Sequence, residues 1–336
     1  MFAETYGPPG VQALTRASRL FLAEAAGTSF PSLETSLLTA RGVLWAVSEE
    51  SSRLEHGLAS LPGATELSAA QCRAMCPALR EDFVLHGFFE PDAMDMDVAA
   101  LHQGFMGEAR KRGATFVFDA AVARATQHGA GGWQVETRSG DRYACSALVN
   151  AAGAWAQQVS ALCGASAVPM APKRRTVFTF TDRRLGDASA HWPFVMDAKV
   201  AVHSTERAFY FKPQAPGVFL ASPGDATPSE PCDVAPDEMD IALCVDALMA
   251  ATSLEVRRID ARWAGLRTFS PDGEPVLGKD PLRKDFYHVT GLGGYGIQTA
   301  PACGDFVADL IERGALSSRL TGFGLTAQQL SPERFA

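Results

Sequence analysis

The sequence predicts a mixed chain, α/β in one part and α+β in another, folded as two domains. Three observations carry this. Tyr143 to Asn150 reads as a buried strand that turns through Ala151-Ala152-Gly153-Ala154-Trp155 into a helix, and Phe286 to Val289 reads as a strand that passes through a glycine block into a helical pattern ending near Leu310. From Arg175 to Ser222 the pattern changes to successive short strands, which argues for an antiparallel sheet. With 336 residues and 47% hydrophobic content, the chain can bury a substantial core.

In chain order, Val11, Leu14, Ala17, Ser18, Phe21 and Leu22 mark an amphipathic first helix, and a strand follows near Leu37 to Val47. Ser68-Ala69-Ala70-Gln71 has capping-box spacing and starts a short helix that stops before Pro77. Asp97 caps a helix from Val98 to Arg112 with Gly113 at its C′ position, and Thr115 to Phe118 reads as a strand. Val122 to Ala125 and Trp133 to Thr137, joined through Gly129 to Gly132, predict a hairpin. The antiparallel strands are Thr176 to Thr181, Phe194 to Met196, Val200 to His203, Phe209 to Lys212 and Val218 to Ala221. A helix from Pro236 to Met249 and a strand from Val256 to Phe269 complete the order. There is no internal repeat or low-complexity segment.

Composition narrows the function classes. A net charge of −8 and a pI near 5.4 disfavour nucleic acid, because phosphate neutralisation needs clustered Lys and Arg, and the run Lys173 to Arg175 is too short to supply it. No apolar run approaches a membrane span, and no charged start with an apolar segment marks a signal peptide. Seven scattered cysteines predict reduced, mostly buried thiols and a cytoplasmic protein, and Cys72 and Cys76 lack the second pair or histidines of a zinc site, so no metal is expected. His203 and His288 fall in strand patterns and read as structural.

The most informative stretch runs from Trp263-Ala264-Gly265-Leu266-Arg267 through Pro271-Asp272-Gly273 to Gly291-Leu292-Gly293-Gly294-Tyr295-Gly296-Ile297-Gln298-Thr299. The glycine block follows a strand and opens a helix, so its N–H groups and the helix N-terminus can face an anion. Gly291, Gly293 and Gly296 also satisfy the spacing G-x-G-x-x-G. Residues 297–336 hold no convincing second parallel strand, however, so the block is not expected to be a dinucleotide phosphate loop.

Together, Leu148 to Trp155 and the Trp263-to-Thr299 region resemble the FAD-dependent D-amino-acid oxidase superfamily, and are most similar to bacterial D-arginine dehydrogenase and other D-amino-acid dehydrogenases. The resemblance continues through Asp97 to Gly104, Pro172-Lys173-Arg174-Arg175, Phe209-Tyr210-Phe211-Lys212-Pro213 and Ser331-Pro332, nearly the whole chain. It implies a discontinuous, Rossmann-like FAD-binding domain of residues 1–35, 95–165 and 262–336, and an antiparallel-sheet substrate domain of residues 36–94 and 166–261. Family members begin with a strand, glycine-rich turn and helix for the FAD pyrophosphate. Met1 to Gly7 instead resembles the segment after that unit, so the Rossmann-like domain is expected to be truncated, through a misassigned start or a true truncation.

The resemblance also implies site residues. Arg267 would bind the substrate carboxylate through the planar fork of its guanidinium, and Arg175, Tyr210 and Tyr6 would line the same substrate. Structural ion pairs for the arginines and core packing for the tyrosines are the alternatives. No residue is assigned as a catalytic acid or base. Ala152, Gly153, Trp155, Gly293, Gly294, Tyr295, Gly296, Ile297 and Gln298 would contact FAD, the helix N–H groups stabilising charge on the reduced ring. No cysteine lies between Leu266 and Gly278, where sarcosine-oxidase relatives anchor the flavin, so FAD is expected to be non-covalent. Val43 stands where D-arginine dehydrogenase has a glutamate for the substrate guanidinium, which shifts the expected substrate toward apolar or small D-amino acids. The expected reaction is oxidation of a D-amino acid to the imino acid, by hydride transfer to flavin N5, with electrons passed to a quinone or another acceptor. The alternatives are oxidation of a 2-hydroxy acid or glycerol 3-phosphate, or a non-catalytic remnant unable to hold FAD.

Overall fold

The computed structural model describes residues 1–48, 57–128, 131–202 and 208–335. Its strands in chain order are β1 (Leu38–Ala40), β2 (Val43–Val47), β3 (Thr65–Ser68), β4 (His86–Glu90), β5 (Met94–Met96), β6 (Val122–Gln127), β7 (Trp133–Thr137), β8 (Arg142–Cys145) and β9 (Leu148–Asn150). They continue with β10 (Ala171–Thr181), β11 (Phe194–Asp197), β12 (Tyr210–Ala215), β13 (Val218–Ser222), β14 (Thr227–Pro228), β15 (Ile259–Phe269), β16 (Val276–Lys279) and β17 (Phe286–Thr290). The chain divides into two compact units. The first is Met1–Thr39, Met96–Pro172 and Arg267–Ala336, and the second is Ala40–Asp95 and Lys173–Leu266.

The first unit contains a three-stranded sheet ordered β16-β17-β9, in which β9 and β17 run parallel and His288 lies opposite Asn150. Its apolar side packs Leu277 and Tyr287 against Leu14 and Ala17 of the helix Pro9–Glu24 and against Ala302, Phe306 and Val307 of the helix Gly296–Arg313. The two helices are also stitched by polar groups: Ser18 Oγ accepts the Ala302 N–H at 3.1 Å, beside Pro301, which has no N–H to give. A separate antiparallel meander, β6-β7-β8, packs Trp133 onto Phe286 with ring centroids 5.6 Å apart.

The second unit is built on a long sheet ordered β14-β10-β13-β12-β11-β2-β4-β3, with β15 also paired to β10. The strands are not uniformly antiparallel, because β11 and β2 pair in parallel. Alternation puts Leu44, Phe178, Phe180, Val195, Phe211 and Phe219 on one face, where Cys72 and Cys76 and the helix Glu238–Ala251 complete a core. Arg175, Tyr210, Val43, Trp45 and Glu90 belong to the opposite face.

Several sequence expectations differ from the structure. Tyr143 to Asn150 is two strands rather than one, since β8 turns away to pair with β7 and leaves Tyr143 exposed. Thr115 to Phe118 pairs with nothing described and is an exposed connection. The Leu37-to-Val47 strand breaks at Gly42, whose φ of +74° suits only glycine. Ala198–Val202 is a 3₁₀ turn instead of a strand, and His203, like Gly129 and Ala130 of the expected hairpin turn, lies outside the described residues.

Candidate functional site

Two parallel neighbours, β9 and β17, each end in a tight turn that starts a helix, so both turns lie beyond the carboxyl ends of adjacent strands. Asn150 shapes the first. Its Oδ1 accepts the Ala152 N–H at 3.2 Å, while Nδ2 donates to Ala156 O at 2.8 Å and Ser160 Oγ at 3.0 Å. Gly153 follows with φ of +54°, and the Trp155 side chain remains 43% exposed beside it.

The second turn is stitched to the end of β15. Gly293 N–H donates to Thr268 O at 2.8 Å, and Phe269 bridges Leu292. A Cβ on Gly293, where φ is +52°, would lie 2.7 Å from Phe269 Cε1; one on Gly294 would lie 2.9 Å from Arg267 Nη1. These glycines therefore let the turn close over the strand and leave room for the Arg267 guanidinium. That guanidinium, half-buried, has no hydrogen-bond or ion-pair partner among the described residues. The helix Gly296–Arg313 begins without a side-chain cap, and the N–H groups of Gly296, Ile297 and Gln298 have no described acceptor.

Tyr6 reaches the same turn, its ring edge-on to Tyr295 with centroids 4.9 Å apart. Burial, with help from Tyr6, pushes the Tyr295 phenol up to about 12, against the pull of Arg267. Glu274 holds this neighbourhood, accepting the N–H groups of Gly10 at 2.8 Å and Val11 at 3.1 Å with its two carboxylate oxygens. Arg334 in turn clamps the 272–275 loop through Asp272 at 2.7 Å and the carbonyls of Glu274 and Pro275 at 3.0 Å. Sequence reasoning missed Asn150, Glu274 and Arg334, whose partners lie far along the chain or in backbone geometry.

Gln298 has a structural role in its side chain. Its side chain is buried and bonded to Ala3 N at 3.1 Å, Ala3 O at 3.3 Å and Thr15 Oγ1 at 2.9 Å, so it fastens the helix Gly296–Arg313 to Ala3 and to the helix Pro9–Glu24, and only its N–H is left to face a ligand. His288 is structural, as expected: Nε2 meets Asp280 Oδ2 at 2.9 Å in a buried pair. Burial pushes the imidazole below its usual range, against Asp280. Burial also pushes Asp280 up, but His288 and the N–H groups of Ser166 and Leu282 outweigh it and hold the carboxyl low.

In the second unit the structure brings Arg175 and Tyr210 together, with Arg175 Cζ 5.8 Å from the Tyr210 ring centroid. Tyr210 is 7% exposed and stacks on Phe194 at 5.3 Å. Val43 is buried opposite Phe194 on one side and Glu90 on the other. Glu90 is a buried carboxylate that accepts the Trp45 indole N–H at 2.6 Å. Sequence reasoning overlooked it because the acid stands one strand away from the valine. Among the described residues no group of three or more His, Cys, Asp or Glu side chains is placed to hold a metal, and no helix is long and apolar enough to cross a membrane.

Comparison with known proteins adds a family. Residues 3–310 match the DAO family, described as FAD dependent oxidoreductase. The chain is 27% identical over 178 residues to FAD-dependent oxidoreductase domain-containing protein 1 of Bos taurus, a match spanning 51% of this chain but only 36% of the bovine protein. It is 37% identical over 79 residues to D-amino acid dehydrogenase of Helicobacter pylori, which is 24% of this chain and 19% of that protein. Among solved structures, L-proline dehydrogenase from P. horikoshii superposes with a TM-score of 0.79 at 18% identity, over 100% of this chain and 86% of that one.

The turns fit the ring end of FAD on their own geometry. The uncapped helix start offers N–H donors, a Cβ on Gly153 would meet nothing within 4 Å, Trp155 and Ile297 expose apolar surface, and the buried Thr268 Oγ1 has no partner among the described residues. FAD is the cofactor and is held non-covalently. The chain belongs to the DAO family of FAD-dependent oxidoreductases.

Proposed function

We propose that this protein oxidises D-amino acids to imino acids, which water then converts to 2-oxo acids and ammonia. The observation that carries this reading is Arg267: a guanidinium set against the glycine turn with no carboxylate partner among the described residues. Unpaired in this way, it can grip the substrate carboxylate through two parallel charge-assisted hydrogen bonds, which fix orientation as well as affinity. Tyr6 supplies a neutral donor beside it, and Tyr295, kept as the phenol by burial, adds no charge. FAD, when bound, supplies a two-electron acceptor for the Cα hydride. The N–H groups of Gly296, Ile297 and Gln298 hold negative charge at the ring, and Ala152, Gly153 and Trp155 line the cofactor from the other turn.

Arg175 and Tyr210 are proposed as further substrate contacts, with Val43 favouring apolar or small side chains. A quinone is proposed as the electron acceptor. The seven cysteines, all free among themselves, support a cytoplasmic setting. The test is anaerobic bleaching of the FAD-loaded protein by a panel of D-amino acids, L-amino acids, 2-hydroxy acids and glycerol 3-phosphate. Bleaching by D-amino acids alone is expected. Bleaching only by the hydroxy compounds would transfer the reading to alcohol oxidation, and bleaching by none would leave a non-catalytic protein. Arg267→Met is expected to lower kcat/KM at least tenfold, roughly 1.4 kcal/mol, and unchanged kinetics would remove Arg267 from the site.

A further inference from the structure

We propose that Asp225 is the positioning residue for Arg175, fixing its guanidinium so that both Nη nitrogens remain available to a substrate carboxylate. The inference rests on the reading of Arg175 as a substrate contact. Arg174 and Arg175 are consecutive on β10, so their side chains leave opposite faces of the strand. Arg174 turns toward the helix Glu238–Ala251, where Nη2 meets Asp240 at 2.7 Å and Asp237 at 3.4 Å. Arg175 turns toward Tyr210.

Asp225 grips both sides of this strand. Its main-chain carbonyl accepts Arg175 Nε at 2.7 Å. Its buried carboxylate accepts the Thr176 N–H at 2.7 Å, the Thr176 hydroxyl at 3.0 Å and Arg174 Nε at 3.4 Å. The residues flanking Arg175 are thus tied to the side chain of the same residue whose backbone holds Arg175 itself. A cavity of about 320 Å³ lies against this segment, lined by Pro223, Asp225, Ala226, Thr227, Asp240 and Leu243, although Asp225 itself is buried. Hydrogen bonds from its carboxylate to Thr176 and Arg174 tie the segment to the strand. With Nε taken, the guanidinium keeps its Nη1/Nη2 edge, one of the two edges that can bind a carboxylate bidentately.

The experiment is a double-mutant cycle on the full-length, FAD-loaded protein. It reads the Kd of butyrate, an aliphatic acid without the reacting amine, by calorimetry, and KM and kcat with the best D-amino acid. Asp225→Asn keeps the main-chain carbonyl and side-chain size but loses the charge that draws Thr176 and Arg174 and that also lies 3.7 Å from Arg175 Nε. It is expected to weaken butyrate and raise KM about five- to tenfold with kcat within about twofold, as is Arg175→Met, and the double variant should be no weaker than Arg175→Met alone. Thr176→Val, which removes one donor and leaves the aspartate, should give an intermediate loss and carries the same cycle if Asp225→Asn does not fold. Additive losses, or unchanged butyrate affinity in Asp225→Asn and Thr176→Val where Arg175→Met weakens it, would overturn the positioning role alone. If Arg175→Met changes neither constant, Arg175 is not a substrate contact and both readings fall.

Discussion

Gly294→Ala isolates the Arg267 guanidinium from every other part of the turn. The added methyl would sit 2.9 Å from Nη1, 3.1 Å from Cζ and 3.3 Å from Nε, where ordinary contact starts at 3.4 Å. The flexible end of the arginine gives way rather than the backbone, since Gly294, unlike Gly293, is not in the left-handed region. A displacement of roughly 0.5 Å or more is the minimum that relieves the contact, and misplacement of a positioning group by about 1 Å can cost a hundredfold. We therefore expect kcat/KM for the proposed D-amino acid substrate to fall about tenfold, or about 1.4 kcal/mol. The melting temperature should move by less than about 2 °C, because no buried apolar contact is lost. Stopped-flow reduction under anaerobic conditions measures the first quantity and calorimetry the second. Unchanged kcat/KM in a variant that retains FAD would refute the placement of Arg267 against the reacting centre.

Gly293→Ala differs in kind: the left-handed φ of +52° and the 2.7 Å approach to Phe269 should together cost about 2–4 kcal/mol of stability, read as a lower urea midpoint. Gln298→Leu should lose about 1–3 kcal/mol, since it leaves the buried Ala3 N–H without its acceptor, and an unchanged midpoint would remove Gln298 from the fastening role. For acid, the sign follows from His288 and Asp280. Both have folded pKa values below their unfolded ones, so each binds protons more readily when unfolded. Their contribution is present above the unfolded values of 6.5 and 3.8 and is lost as pH falls through the lower folded values. The urea midpoint should begin to fall below pH 6.5, and His288→Gln should flatten the imidazole part of that slope.

What was legible in the sequence was mostly local. Ser68 and Gln71 form the capping box, Asp97 caps the helix beginning at Val98, and Gly113 follows it with φ of +92°, all within a few residues of one another. The glycine turn was legible because its spacing, its preceding strand and its following helix are contiguous. Long-range pairing was not. Arg175 and Asp225 are separated by 50 positions and Gly10 and Glu274 by 264, so no window of sequence contains both partners. The Tyr143-to-Asn150 run failed for another reason: hydrophobic pattern marks extended chain but not the residue where it changes partners, and here Ser146 and Ala147 separate two sheets. The inward turn of the Gln298 side chain to Ala3 was likewise not legible, because 295 positions separate the two residues.

Arg334 reaches the 272–275 loop, and that loop caps the helix that follows Tyr6. On the ribosome this imposes an order of assembly. Residues 40–95 and 173–266 have all emerged before Arg334 is made, whereas the first unit waits for the turn that carries it. Residues 1–24 therefore wait through the synthesis of residues 25–333 for the contacts that define them, so a stall or nonsense codon a few residues upstream of Arg334 would release a chain whose Tyr6 region stays loose.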